Sequence, residues 1–149
     1  MLTKYKTKSL FTSGQKACKM GASGIRWKPM DSGGEMMDCI FCKIIAGQIP
    51  SDVVYTDDKV IAFKDINPQA PVHLLLIPRE HIATLNDITE QQTMLIGHML
   101  QVARQLAKQN GITAKGYRVV INCGPHGGQV VQHLHMHLLG GRELTGCMG

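Results

Sequence analysis

The stretch GGQVVQHLHMHLLGG, residues 127–141, contains three histidines at every second position: His133, His135 and His137. Because side chains alternate between the two faces of a β-strand, a strand over this stretch places the three imidazoles on one face. The residues between and after them are apolar: Leu134, Met136 and Leu138. Burial of that apolar face directs the imidazole row toward a cleft or toward solvent.

Three interpretations of the histidine row compete. In the first, the histidines are ordinary polar residues on a solvated strand face. In the second, they are three ligands of a catalytic metal ion, but a strand separates the outer imidazoles by roughly 13 Å at about 3.3 Å per residue, too far for one ion. In the third, one imidazole is a nucleophile that attacks phosphorus, and glycines in the preceding turn GPHGG let main-chain N–H groups approach phosphate oxygens.

The hydrophobic pattern of the remaining body predicts an α+β fold with two helices and a five-stranded, mainly antiparallel sheet. A short helix is expected in CIFCKIIAG, and a long one from Asp87, which has capping-box spacing with Glu90. Along the long helix, a helical stripe is expected to be buried: Leu95, Met99, Val102 and Leu106. The expected strands are VVYT (53–56), KVIAFKDI (59–66), VHLLLIP (72–78), YRVVINCG (117–124) and VVQHLHMHLLGG (130–141).

Length and charge restrict the class of protein. A chain of 149 residues, 44% of them hydrophobic, is expected to form one domain with its own core. The net charge of +5 comes from residues 1–37, since residues 38–149 contain nine basic and nine acidic residues. A neutral body is not expected to bind a nucleic-acid polymer, and no apolar run is typical of a membrane span. The domain is placed at residues 38–149.

Residues 1–37 show neither helical nor strand periodicity and are interpreted as a flexible basic leader, either disordered or not native to the protein. A transit peptide for organelle import is the alternative, because such peptides are basic and poor in acidic residues. The five cysteines are odd in number and unevenly spaced, which favours reduced thiols and a cytoplasmic location.

The motif HLHMHLL, residues 133–139, resembles the His-x-His-x-His-x-x signature of the histidine triad superfamily. The segment from Cys39 to Arg142 is similar to its Hint branch of purine nucleoside phosphoramidases, through residues 40–81, 116–124 and 127–142. The resemblance implies a hydrolase that converts adenosine phosphoramidates to AMP and an amine through a nucleotidyl-histidine intermediate. It also implies a homodimer in which the sheets of two chains join into a larger sheet.

The resemblance assigns roles to particular residues. His135 is the expected nucleophile, His137 the expected contact of phosphate oxygens or of the leaving amine, and His73 a residue that orients the nucleophile. Asp65 is expected on the ribose hydroxyls. The other expected nucleotide contacts are Ile40, Phe41, Ile44, Phe63, Ile66, Asn122, Gly128, Gln129 and Val130. For the side chains expected to hold the base, plain core packing is the alternative, and Val130 stands where eukaryotic Hint proteins have a serine.

The spacing Cys39-x-x-Cys42 is typical of metal-binding knuckles. By resemblance to zinc-containing members of the superfamily, His81 and His133 complete a Cys₂His₂ set. A closed set of four ligands implies a structural zinc ion, with no metal required for catalysis. Two free thiols beside a hydrogen-bonded His133 are the alternative.

Two other functions are compatible with the same residues. A related enzyme would hydrolyse dinucleoside polyphosphates or transfer the nucleotidyl group, and it would not release a free amine. A nucleotide-binding regulatory or scaffold protein would keep its function when His135 is replaced. For the hydrolase, a nucleophilic imidazole must be neutral, so kcat/KM is expected to fall in acid, near the ordinary histidine pKa of about 6.5.

Overall fold

The computed structural model describes residues 38–146, in which the chain forms two α-helices and five β-strands. The helices are α1 (Ile40–Ile45) and α2 (Thr93–Gln109). The strands are β1 (Val53–Thr56), β2 (Val60–Lys64), β3 (Val72–Pro78), β4 (Tyr117–Val120) and β5 (Met136–Gly140). The predicted α+β class with a five-stranded sheet is confirmed. The predicted leader lies outside the described residues.

The five strands form one antiparallel sheet in the order β1-β2-β3-β5-β4. The hairpin of β1 and β2 turns at Asp57 and Asp58, as the sequence predicts. The chain then passes through β3, α2 and the edge strand β4 before β5 inserts between β3 and β4. This order makes β3 and β5 neighbours, and these two strands carry His73 and His137.

Each face of the sheet packs against one helix. On one face, Leu74, Leu76 and Met136 pack against α2, whose Met99 and Leu106 are fully buried. Each such buried side chain contributes roughly 1.5–3 kcal/mol relative to an exposed one. The predicted helical stripe is therefore core, with Leu95 partly buried at its edge.

The other face is the one that positions the histidines. Phe41 of α1 packs there with side chains from β2 and β3, namely Ile61, Phe63, Leu75 and Ile77. Because Leu75 pairs with His137 across the ladder, His137 belongs to this face. His73, two residues before Leu75, shares it.

The start of the long helix differs from the prediction. Two 3-10 turns, Leu85–Asp87 and Glu90–Gln92, precede α2, and each has its own capping box. The carboxylate of Asp87 accepts from the main-chain N–H of Thr84 at 2.9 Å, so it closes the first turn and caps no α-helix. Asp87 is thus the last residue of a capping box that starts at Thr84, not the first residue of one. The α-helix itself begins only at Thr93.

The last strand is shorter than predicted. The ladder between β3 and β5 ends where Leu76 pairs with Met136, so His133 and His135 precede the strand. The main-chain N–H of Leu134 donates instead to the carbonyl of Ile82 at 2.6 Å, and Pro78, which would face Leu134 in a longer ladder, has no N–H to donate. The alternation of burial nevertheless continues through the segment, since Leu134, Met136 and Leu138 are all fully buried.

Residues 38–144 lie within one compact unit. None of the helices in the described part, residues 38–146, has the length and apolar character needed to cross a bilayer.

Candidate active site and metal centre

His135 is 5% exposed and is held by a main-chain group. Its Nδ1 lies 2.7 Å from the carbonyl oxygen of His133. A carbonyl oxygen can only accept, so Nδ1 carries the hydrogen and the lone pair of the neutral ring is on Nε2. The ring of Phe41 packs edge-on against the imidazole at a centroid distance of 5.4 Å, which restricts its rotation. In its neutral form, His135 therefore presents the lone pair on Nε2.

His73 and His137 form a second hydrogen-bonded unit beside His135. Nε2 of His73 lies 2.9 Å from Nδ1 of His137, and the rings of His135 and His137 are 5.1 Å apart between centroids. The main-chain N–H of Gln69 donates to Nδ1 of His73 at 3.1 Å, so the hydrogen of neutral His73 is on Nε2. That hydrogen points at Nδ1 of His137, which leaves the His137 hydrogen on Nε2.

The environment keeps this unit neutral. Burial lowers the pKa of His73, and the neighbouring Asp65 offsets part of that effect. Burial, together with the nearby His135 and His73, lowers the pKa of His137 to about 4. At neutral pH, both rings are therefore uncharged, and the Nε2–H of His137 is a fixed hydrogen-bond donor.

Asp65 follows β2 and lies close to the same unit. Its Oδ2 is 3.3 Å from Nε2 of His73, and its Oδ1 accepts from the main-chain N–H of Asn67 at 2.8 Å. Ile66 next to it is 92% exposed, so its side chain is accessible to an apolar ligand. The predicted contacts of Asp65 with the ribose hydroxyls, and of Ile66 beside it with the nucleotide, stay predictions.

The glycine-rich turn before the histidines is tightly built. Gly124 and Gly128 have positive φ angles of 69° and 76°, and a Cβ on Gly127 would lie 2.3 Å from the carbonyl oxygen of Cys123. The amide of Gln129 is used inside the protein, donating to the carbonyls of Ala83 and Val131 and accepting from Gly124 N–H. Gln129 thus shapes the turn, and its predicted contact with phosphate stays a prediction.

The other predicted nucleotide contacts differ in exposure. Phe41 and Phe63 are buried and pack edge-on at 5.8 Å, whereas Ile40 and Val130 are 46% and 69% exposed. Ile44 and Asn122 are partly buried. Phe41 thus packs between Phe63 and His135, and the exposed side chains are the ones accessible to a ligand.

A second cluster brings together the four predicted metal ligands: Cys39, Cys42, His81 and His133. Their sulfur and nitrogen atoms all lie within 4.8 Å of one another. The S···N distances are 3.5 Å for Cys39 with His133, and 3.2 and 3.6 Å for Cys42 with His81 and His133. A tetrahedral zinc ion, about 2.3 Å from sulfur and about 2.0–2.1 Å from nitrogen, requires an S···N edge of roughly 3.5 Å. The four residues therefore fit zinc.

The hydrogen bonds around the cluster agree with metal binding. Nε2 of His133 lies 2.9 Å from the carbonyl oxygen of Pro78, so its hydrogen is on Nε2 and its Nδ1 lone pair faces the sulfurs. Burial lowers the pKa of His133 to about 4 and raises that of the Cys42 thiol to about 11. The buried imidazole is thus a neutral ligand, while a cation is needed to stabilise the thiolate.

A match to a protein family covers both the histidine site and the Cys/His cluster. Residues 38–149 match the family model described as "Scavenger mRNA decapping enzyme C-term binding". The chain belongs to the histidine triad (HIT) family. The predicted family and its hydrolase class are confirmed by this match and by the relatives below.

Among HIT relatives, the purine nucleoside phosphoramidase of Escherichia coli K12 is 53% identical over 107 residues, 72% of this chain and 90% of that protein. The 14 kDa zinc-binding protein of Zea mays is 53% identical over 108 residues, 71% of this chain and 84% of that protein. The crystal structure of a HIT family hydrolase from Legionella pneumophila superposes with a TM-score of 0.74 at 49% identity, covering 75% of this chain and all of that one.

Three contacts in this HIT site could not be predicted from the sequence. The two groups that set the ring hydrogens of His73 and His133 are the main-chain N–H of Gln69 and the carbonyl of Pro78. The side chain of Arg142 also reaches the site indirectly, since it donates to the carbonyl of Gln69 at 2.8 Å. Main-chain partners are available at every residue, so only the fold selects them.

Proposed function

We propose that the chain hydrolyses purine nucleoside phosphoramidates to a nucleoside monophosphate and an amine through a nucleotidyl intermediate on His135. The observation that carries the proposal is the hydrogen bond from His135 Nδ1 to the carbonyl of His133, 2.7 Å long. It leaves the Nε2 lone pair free for attack on phosphorus. The E. coli relative, a purine nucleoside phosphoramidase, supports the choice of substrate.

In the proposed reaction, the two ring nitrogens of His135 have different roles. Nε2 of His135 bonds to the α-phosphorus, the P–N bond breaks, and the amine leaves with a proton taken from solvent, which regains one from the water that attacks in the second step. The positive charge on the ring is stabilised by the carbonyl of His133, which still accepts from Nδ1–H. Water then forms a new P–O bond, the Nε2–P bond breaks, and the nucleoside monophosphate leaves.

His137 acts on the phosphoryl group in this proposal. Its Nε2–H donates to a non-bridging phosphate oxygen, where negative charge concentrates in the transition state. His73 holds that hydrogen in place through the 2.9 Å contact with Nδ1 of His137. Asp65 binds the ribose hydroxyls, and the base lies against the exposed Ile40 and Ile66.

For the metal centre, we propose a structural zinc ion held by the two cysteines with His81 and His133. Four protein ligands close a tetrahedral site, so the ion supplies stability and no reacting group. The Zea mays relative is a zinc-binding protein by name, which supports the choice of metal.

We also propose that the protein is a homodimer that joins two sheets along β4. This strand is at the edge of the sheet, and unpaired edge strands favour pairing with another chain. Met94 and Leu100 on α2 are 80% and 49% exposed, which adds apolar surface. Sedimentation of the purified protein at the mass of two chains supports this, and sedimentation at one chain contradicts it.

Intact-protein mass spectrometry tests the function. The protein is mixed with an adenosine phosphoramidate and quenched in mild alkali, and AMP and free amine are measured in parallel. An adenylyl adduct is expected on the wild type and absent from His135→Ala, with AMP release at least about 10³-fold slower in the variant. His98→Ala, a substitution on α2 outside the site, is the matched control.

The products separate this proposal from its alternatives. Release of AMP at the wild-type rate by His135→Ala contradicts the covalent mechanism. Failure to cleave phosphoramidates, with cleavage of dinucleoside polyphosphates into two nucleotides, identifies the related activity. Tight nucleotide binding without turnover of any of these substrates identifies a binding protein.

A further inference from the structure

Arg142 joins the turn after β5 to the loop before β3. Its guanidinium donates to the carbonyl of Gln69 and to that of Glu143, each at 2.8 Å. The two segments also touch at Gly141, where a Cβ would lie 3.0 Å from Cβ of Pro71. The loop is therefore fixed to the end of the strand that carries His137.

Gln69 uses both of its main-chain polar groups in this arrangement. Its C=O accepts from Arg142 at 2.8 Å, and its N–H donates to Nδ1 of His73 at 3.1 Å. These two groups belong to adjacent peptide units that meet at the Cα of Gln69, so a carbonyl held by Arg142 restricts how far the N–H can turn. The contact with Arg142 thus keeps the N–H of Gln69 aimed at the His73 ring.

The consequence extends through two imidazoles. With a donor on Nδ1, His73 keeps its hydrogen on Nε2 and donates it to Nδ1 of His137, 2.9 Å away. Without that donor, His73 can also carry its hydrogen on Nδ1 and accept from His137 at Nε2, an exchange that the Asp65 carboxylate, 3.3 Å from Nε2, opposes only in part. His137 would then present a lone pair, not an N–H, on Nε2.

We infer that Arg142 is a positioning residue that acts through the main chain of Gln69 to hold His73 and His137 in their Nε2–H tautomers. The inference rests on the proposed function for its effect on turnover, since a lone pair on His137 Nε2 would repel a phosphate oxygen. The tautomers themselves are a property of the free protein. The guanidinium touches neither ring, so this role is distinct from catalysis.

Nitrogen-15 spectroscopy of the histidine rings tests the inference directly. Long-range ¹H–¹⁵N spectra of ¹⁵N-histidine protein at about pH 8 distinguish protonated from unprotonated ring nitrogens, because free histidines are neutral there. In the wild type, His73 and His137 are expected to be protonated on Nε2 and His135 on Nδ1. In Arg142→Met, the His73 and His137 signals should move toward the average of two tautomers, while His135 keeps its pattern.

Two further variants separate positioning from general destabilisation. Arg104→Met removes the same charge from an exposed position on α2 and should leave the spectrum and turnover unchanged. Arg142→Lys keeps a cationic donor near the Gln69 carbonyl and should restore most of the wild-type pattern. In kinetics, Arg142→Met should lower kcat about tenfold with a smaller change in KM, as for a weakened donor to the transition state.

The outcomes distinguish this inference from the proposed function. Wild-type tautomers in a folded Arg142→Met protein overturn the inference, whether or not phosphoramidates are hydrolysed. Altered tautomers in that variant support it even if the wild type hydrolyses no phosphoramidate, in which case only the proposed function fails.

Discussion

The two histidine clusters of this protein contain similar atoms but differ in where the hydrogens lie. Cys39, Cys42, His81 and His133 form one cluster, and Asp65, His73 and His137 form the other; in each, the potential ligand atoms lie within 4.8 Å. In the first, the carbonyl of Pro78 accepts a hydrogen bond from Nε2–H of His133, so the Nδ1 lone pair of His133 faces the cysteine sulfurs. In the second, the N–H of Gln69 donates to Nδ1 of His73, so the hydrogen of His73 is on Nε2 and faces the cluster.

This difference teaches that the group behind an imidazole decides its chemistry. A carbonyl behind the ring produces a metal ligand, because a metal binds the nitrogen without hydrogen. An amide N–H behind the ring produces a donor that metal cannot use. In the function proposed above, the three histidines of the HIT motif are divided in this way: His133 binds the metal ion, His137 contacts the phosphoryl group, and His135 between them is the nucleophile.

The largest effect is expected from breaking the first cluster. Cys42→Ser should lose bound zinc and lower the free energy of unfolding by about 4 kcal/mol or more, the range in which loss of a metal falls. Cys123→Ser, at a free cysteine outside the cluster, is the matched control and should keep both. Metal analysis and urea unfolding measure the two quantities. A wild type without zinc, equal in stability to Cys42→Ser, would show that the cluster is two free thiols beside histidines.

The second cluster predicts a pH dependence of stability. Its histidines have pKa values below the ordinary one, about 4 for His137, so the unfolded chain takes up protons first as pH falls. Stability is therefore complete above about pH 6.5 and is lost between about 6.5 and 4. A pKa lowered from 6.5 to about 4 corresponds to at most about 3.4 kcal/mol, which solvent screening of this half-buried ring reduces. His137→Gln, which keeps an acceptor for His73, should therefore remove roughly 2 kcal/mol of that loss, measured by urea unfolding across this pH range. A wild-type loss of the same size in the variant contradicts the prediction.

A histidine–carboxylate pair outside both clusters sharpens the comparison. His98 Nε2 lies 2.6 Å from Oδ2 of Asp57, and the Tyr55 hydroxyl donates to the same oxygen, while two main-chain N–H groups donate to Oδ1. Burial raises the pKa of Asp57, but these donors outweigh it and hold the pKa well below its usual range. Asp57→Asn should cost about 1–2 kcal/mol of stability and leave turnover unchanged, with the exposed Asp58→Asn as control. A loss of turnover would mean that this pair is coupled to the site.

Much of the fold follows from local pattern. The apolar run VHLLLIP predicts β3 with its observed bounds, and the helical stripe through Met99 and Leu106 predicts the face of α2 that is buried. Two element boundaries differ from the prediction, for different reasons. β5 begins late because the main-chain N–H of Leu134 donates to the carbonyl of Ile82, a partner distant in sequence. α2 begins late because two local capping boxes precede it.

The candidate site divides in the same way. Residue types and spacing indicate the four metal ligands and the histidine row, since each chemistry requires those side chains. The tautomers are outside the reach of sequence, because main-chain groups of Gln69, Pro78 and His133 set them. The role of Arg142 is hidden for the same reason, as its partner is the carbonyl of Gln69.

The smallest expected effect is the one that most directly tests the comparison. If the inward hydrogen of His73 excludes metal from the second cluster, zinc titration of the wild type should saturate at one ion per chain. His73→Gln should leave that number unchanged, because it removes a ring that binds no metal and retains an amide donor. Metal analysis after dialysis against a competing chelator measures the stoichiometry. A second ion in the wild type that disappears in His73→Gln would show that Gln69 does not control the His73 ring, and that proximity of donor atoms alone is enough to bind zinc.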